Sequence, residues 1–186
     1  MNNTITISLD NLQLIINYQK KVYTVLNGIN FEDQAIHQKK ILYITSGLGI
    51  SNSLYEKFSK ALMQIYCNII NSTIDHYIRF KAVGKIKDLI SNLNLNLEYQ
   101  FNLKKNEFNF QIPIQNYNEL IERFSNSYLK RNYYLHGDFD LNENIDKNTF
   151  KEYVLEIMEL QIFITELLKN ALIYELPNYF LYEETQ

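Results

Sequence analysis

Three residue types able to do chemistry lie within one short stretch: Arg131, Asn132 and His136. Histidine is the side chain that titrates closest to neutrality, which suits His136 to moving protons. Arg131 is planar, always charged and bidentate, and so suited to meeting charge that develops on an oxyanion. Asn132 precedes His136 by four residues, nearly the same face of a helix, where it can orient the imidazole. Arg131 and His136 themselves stand about 140° apart on a straight helix. They converge only if Arg131 reaches round, if the helix distorts near Gly137, or if a second copy supplies one of them.

The segment that carries them is strongly patterned. With Tyr117 as zero on a helical wheel, Leu120, Ile121, Phe124, Tyr128 and Leu135 all fall within about 60°. Arg131 and Asn132 lie inside this apolar arc, and His136 sits at its margin. A guanidinium and an amide on a core-facing stripe must be desolvated, so they need partners. Such local violations of patterning mark functional sites. Patterning alone leaves a second reading open, in which Arg131 pairs with a carboxylate of a neighbouring helix and His136 is a surface residue at the helix end.

Asn116 with Glu119 has the spacing of a capping box and opens this helix. Asp10 with Gln13 marks an earlier helical run to about Gly28, striped by Leu12, Ile15, Ile16, Val22, Tyr23 and Leu26. Phe31 to Thr45 reads as helical, and Ser46-Gly47-Leu48-Gly49 as a break. Ser53 with Glu56 caps a further helix to about Phe80, with Leu54, Phe58, Leu62, Ile65 and Ile69 on one side. A short helix over Lys85 to Asn92 follows Gly84. Thr149 with Glu152 caps the last long helix, striped by Phe150, Val154, Ile157, Ile164, Leu168 and Ala171 and ended by Pro177.

Between these helices the period changes to two. Leu93, Leu95, Leu97, Tyr99, Phe101 and Leu103 alternate with polar residues, and Phe108, Phe110, Ile112 and Ile114 resume the pattern after Lys104-Lys105-Asn106-Glu107. The alternation predicts a β-hairpin over about 93–114, with Pro113 at a strand end or edge. No repeat or linker divides the 186 residues, so the expectation is one mainly α domain over 1–186, an antiparallel helical bundle with this hairpin inserted.

Other motifs fall away. The run from Asp138 to Asp146 echoes a calcium-binding loop, but Glu143 stands where the sharp turn needs glycine and Thr149 where the bidentate glutamate belongs. His37 has no partner spacing, and His76 lies beside Asp75. There is no glycine-rich phosphate loop, zinc spacing or nucleophile elbow, and no metal or cofactor is expected. The single Cys67 cannot form an intramolecular disulfide and reads as a packed thiol among Ile65, Ile69 and Ile70. Met1 to Asp10 lacks the pattern of a signal peptide, and the longest uncharged run, Ala61 to Ile74, is too short for a membrane helix. A reducing cytoplasm is the expected home. The net charge of −3 argues against a broad nucleic-acid-coating surface, but not against a small cleft with local positive charge.

Arg131, Asn132 and His136, with four residues between Arg131 and His136 and a helix break at Gly137, resemble the motif of the HEPN superfamily of helical ribonucleases. Members carry Arg, four to six residues, then His, often with a polar residue directly after the Arg, between long helices. The resemblance implies a HEPN-like helical bundle acting as a symmetric homodimer, with both copies of the motif facing one cleft. It implies metal-independent RNA cleavage, in which the 2′-hydroxyl attacks its neighbouring phosphate while His136 moves protons, Arg131 meets the developing charge and Asn132 orients. Beside the motif, and apart from the resemblance, Lys130 is a candidate phosphate contact, the other reading being an ordinary exposed lysine. HEPN domains serve as toxins or phage-defence effectors, with an antitoxin or defence-system protein as partner. Members neutralised by nucleotidyltransferases carry Tyr two residues after the His; here that residue is Asp138, so modification of a tyrosine is not implied.

Two rival expectations remain. The acidic net charge and Asp138 favour a non-catalytic HEPN-like module that binds a nucleotide, RNA or protein partner. The aromatic residues Phe101, Phe108 and Phe110 of the expected hairpin favour a structural subunit that docks on a larger partner, unless they pack on their own helices.

Overall fold

Helix α1 spans Asn3–Asn27. Leu9, Leu12, Ile15, Ile16, Gln19 and Leu26 bury one face at helical period, while Asp10, Asn11, Leu14 and Tyr18 stay exposed. The computed structural model describes residues 3–29, 40–69, 95–110, 113–135 and 154–181. The expected helix over 85–92, the Thr149–Glu152 cap, His37, His76, His136 and the acidic loop from Gly137 lie outside them.

Helix α2, Lys40–Ile69, runs straight through the segment expected to break. The reason is tertiary. A Cβ on Gly47 would stand 3.0 Å from Val154 Cγ1 and 3.1 Å from Leu26 Cδ1. Gly47 therefore lets three helices approach closely, and packing overrides its poor helix propensity. The continuity also removes the expected caps. Asp10 and Ser53 sit within helices rather than before them, where backbone N–H groups already bond in the i→i−4 ladder. Near Ser53 the side-chain bond runs instead from Asn52 Nδ2 to Glu56 Oε1 at 3.0 Å.

The expected first strand of the hairpin is helical: α3 spans Leu97–Lys104. Asn96 Oδ1 accepts from the Tyr99 N–H at 3.0 Å, an N-cap bond that competes with extended pairing. Glu98 in the first turn and Lys104 in the last complement the helix dipole. Leu97, Gln100 and Phe101 are buried, at i, i+3 and i+4, whereas Tyr99 and Leu103 of the alternating pattern are exposed. No strand forms among the described residues.

Helix α4, Tyr117–Leu135, begins as its sequence announces. Asn116 Oδ1 accepts from the Glu119 N–H at 3.0 Å, and Glu119 Oε2 accepts from the Gln115 N–H at 2.8 Å. Leu120, Phe124 and Ser127 are buried, and Asn118, Glu122, Asn126 and Leu129 face outward.

Helix α5, Glu156–Leu181, is the axis of the fold and touches each of the other four helices. It continues past Pro177, which was expected to end it: one missing N–H donor does not stop the following turn from forming. Every residue from Ile157 to Thr165 is buried, the pattern of a helix enclosed on all sides. Contacts fix the directions of its neighbours. Tyr23, Gln19 and Gln13 of α1 meet Glu159, Thr165 and Lys169 respectively, so α1 is antiparallel to α5. Gly47 and Ser51 of α2 meet Val154 and Gln161, so α2 is parallel to α5. Arg123 of α4 meets Glu156, while Phe101 bridges Tyr117 to Phe163, so α4 is antiparallel.

The main core joins Leu12, Ile16, Phe58, Phe101, Phe124 and Phe163 with their neighbours. A second cluster, around Leu26, Leu48, Val154 and Met158, closes the end where α5 begins. Phe108 and Phe110 follow α3 and stack on Phe163 at 4.8 and 4.9 Å. Phe101 is buried in the core. These aromatics therefore pack on their own helices, the alternative to their anchoring a larger partner. No helix of the described residues is long and apolar enough to cross a membrane.

Candidate functional site

Helix α4 carries the sequence motif. Its backbone is helical through Leu135, so positions 130 to 132 belong to its last turns. At helical period, position 131 continues the row of Leu120, Phe124 and Ser127, and position 132 continues that of Ile121 and Ser125. Buried hydrogen bonds hold this part of the helix: Ser127 Oγ donates to Phe124 O and Ser125 Oγ to Ile121 O, each at 2.7 Å. The side chains of Lys130, Arg131 and Asn132 lie outside the described residues, as does all of His136.

Arg123 anchors α4 two turns before the motif. Its Nη2 and Nε donate to Glu156 Oε1 at 2.6 and 3.1 Å, and its Nη1 donates to Pro113 O at 3.2 Å. Glu119 Oε1 lies 3.6 Å from the same guanidinium. A planar fork held by two carboxylates and a carbonyl fixes α4 against the start of α5. Because α4 is antiparallel to α5, position 131 projects about 12 Å beyond Glu156, at the end of the bundle where α5 begins.

Midway along α5 lies a cleft of about 400 Å³ between α1, α5 and the segment after α3. Lys20, Lys104 and Lys169 line it together with Glu107 and Glu166, three cations against two carboxylates. Lys20 pairs with Glu166 across the α1–α5 seam, and Lys104 pairs with Glu107 at 2.6 Å. Lys169 donates to Gln13 Oε1, a neutral acceptor, while Gln13 Nε2 donates to Asn17 Oδ1 at 2.9 Å. Ile16, Phe108 and Phe163 supply an apolar wall. Along α5 this cleft lies roughly 30 Å from the projected level of the motif.

Between the cleft and the start of α5 runs a buried polar seam. The Tyr23 hydroxyl donates to Glu159, Ser51 Oγ donates to Gln161 Oε1, and Thr165 Oγ1 meets Gln19 Oε1 at 3.0 Å. Thr165 owns one hydroxyl hydrogen, and Ile162 O at 2.8 Å also accepts from it. Gln19 Nε2 is buried without a hydrogen-bond partner in this arrangement. The seam favours one height of α1 and α2 on α5, since its buried hydrogen bonds form only in that register.

One titration among the described residues is perturbed. The Tyr117 phenol is pushed above its ordinary value, first by burial and second by the charge of Glu98. Among the described residues no group of His, Cys, Asp and Glu side chains is placed to hold a metal ion.

The cleft lysines were missed by sequence reasoning. Lys20 and Lys169 lie in segments read as helical and come together only through the α1–α5 pairing. Lys104, in the last turn of α3, was read as part of the polar turn of the expected hairpin. No protein-family model, curated protein or solved structure matches the chain.

Proposed function

We propose that the chain is a HEPN-type, metal-independent endoribonuclease that works as a homodimer with two copies of the motif facing one cleft. In this reading the five helices belong to a HEPN-like bundle, and the single Cys67 suits a reducing cytoplasm. The observation that supports the proposal is α4 itself: a capped, anchored helix on which positions 131 and 132 continue, at helical period, the rows of Leu120, Phe124 and Ser127 and of Ile121 and Ser125. His136 moves protons between the 2′-hydroxyl and the leaving oxygen, Arg131 meets the phosphoryl charge, Asn132 orients the imidazole, and Lys130 touches a neighbouring phosphate. A role as a toxin or phage-defence effector, restrained by an antitoxin or defence-system protein, follows from the same resemblance. Arg131→Ala and His136→Ala are expected to abolish RNA cleavage in EDTA while leaving the circular dichroism spectrum and melting temperature unchanged. Undiminished cleavage by both purified variants would sink the proposal.

A second reading, a non-catalytic HEPN-like binding module, draws on the lysine-lined cleft far from the motif. Intact RNA after incubation with dimeric wild-type protein, together with saturable ligand binding, would favour it.

A further inference from the structure

The cleft beside the middle of α5 is independent of the ribonuclease reading, and its lining carries both signs of charge. Lys20, Lys104 and Lys169 come from three separate elements, and Glu166 and Glu107 lie among them. A polyanion entering here would meet two carboxylates, and a simple cation would meet three ammonium groups. At a few ångströms each such like-charge contact is repulsive, and more so beside an apolar wall than in open water. The charges suit a small molecule that carries both signs.

The individual partners give that molecule an orientation. Lys169 is held by the neutral Gln13 Oε1, so an incoming carboxylate replaces an amide there and gains a charge-assisted bond. Lys20, one turn of α5 away through its partner Glu166, is half-exposed and within the same lining. Glu166 and Glu107 are acceptors that an ammonium group can share with their lysines. The apolar remainder has a preformed place, because Phe108 stacks on Phe110 at 4.6 Å and on Phe163 at 4.8 Å. These rings are held by one another, so little side-chain freedom is lost when a ligand settles on them. The volume of about 400 Å³ is in the range of small-molecule sites.

We propose that this cleft binds a small zwitterion of the amino-acid type, with its carboxylate on Lys169 and Lys20, its ammonium against Glu166 and Glu107, and its apolar side chain on Phe108. The test is calorimetric titration of the full-length protein with L-phenylalanine, L-phenylalaninamide, N-acetyl-L-phenylalanine and inorganic phosphate. L-Phenylalanine is expected to bind saturably, with the amide and the N-acetyl compound at least tenfold weaker and phosphate weaker still. In Lys169→Gln the preference for the acid over the amide collapses, and in Glu166→Gln the preference for the free amine over its acetyl form collapses. Absence of L-phenylalanine binding to folded wild-type protein, equal binding of the blocked compounds, or tighter binding of phosphate would each overturn the assignment. RNA cleavage is unaffected by either variant, so failure here is separable from failure of the ribonuclease proposal.

Discussion

The two halves of α5 use polar residues in opposite ways. From Ile157 to Ile162 the helix is enclosed, and the buried Glu159 and Gln161 accept from the hydroxyls of Tyr23 and Ser51. From Phe163 onward one side opens, and Glu166 and Lys169 pair with Lys20 and Gln13 at the rim of a cleft. The partners are of similar kind in both halves, a carboxylate or amide of one helix with a donor or acceptor of another. Burial makes the difference. In the enclosed half a lost partner leaves a desolvated group, so the contacts fix how α1 and α2 sit on α5. In the open half water can replace a partner, so the contacts are free to be exchanged for a ligand.

The largest effect expected from this contrast comes from removing one carboxylate in each half. Glu159→Ala removes a buried carboxylate that accepts from the half-buried Tyr23 hydroxyl and leaves a void, at a cost of roughly 3 kcal/mol. Glu166→Ala removes the partner of a half-exposed lysine and costs under about 1 kcal/mol. Urea denaturation of the two variants measures both. Equal costs would break the distinction between a sealed half and an open one.

A smaller effect tests the sealed half alone. Gly47→Ala puts a methyl 3.0 Å from Val154 Cγ1 and 3.1 Å from Leu26 Cδ1. Overpacking there outweighs the gain in helix propensity, for a net loss of about 1 kcal/mol. Gly49→Ala, with nothing within 4 Å of the new methyl, gains up to about 1 kcal/mol from propensity. Opposite signs two residues apart on one helix, read as shifts in melting temperature, would locate the tight approach at Gly47. Stabilisation by both would show that the helices relax around position 47.

The same contrast explains what the sequence made legible. The α4 helix was readable from its cap and stripe because both are local: Asn116 and Glu119 satisfy each other's backbone, and Leu120 and Phe124 repeat at one period. Gly47 looked like a break because its reason lies on two other helices. The segment over 97–104 looked like a strand because hydrophobics alternate there. The Asn96 cap, and the burial of Leu97 and Phe101 but not Tyr99 or Leu103, show that four-residue spacing was the relevant one. Of the candidate sites, the helix bearing Arg131 and Asn132 was visible in the sequence. The cleft was not, since Lys20 and Lys169 are joined only by tertiary structure.

The smallest effect concerns the open half, where Tyr117 stacks near Phe101 at 6.3 Å and feels the charge of Glu98. Its folded pKa is raised, by burial first, above the ordinary value of 10.0. The unfolded chain therefore loses this proton before the folded one does. The contribution to stability is fully present below about pH 10 and is lost as pH rises through the folded value. Tyr117→Phe cannot ionise, so its stability should fall less than that of wild type above pH 10, while the two curves run parallel below it. Urea midpoints measured from pH 8 to 11 give the comparison, and the other tyrosines cancel in the difference. Glu98→Gln should recover a smaller part of the alkaline loss, because charge is the lesser cause. Parallel curves over the whole range would mean that the Tyr117 hydroxyl is as well solvated as in the unfolded chain, and that the open half reaches deeper into the bundle than the cleft alone.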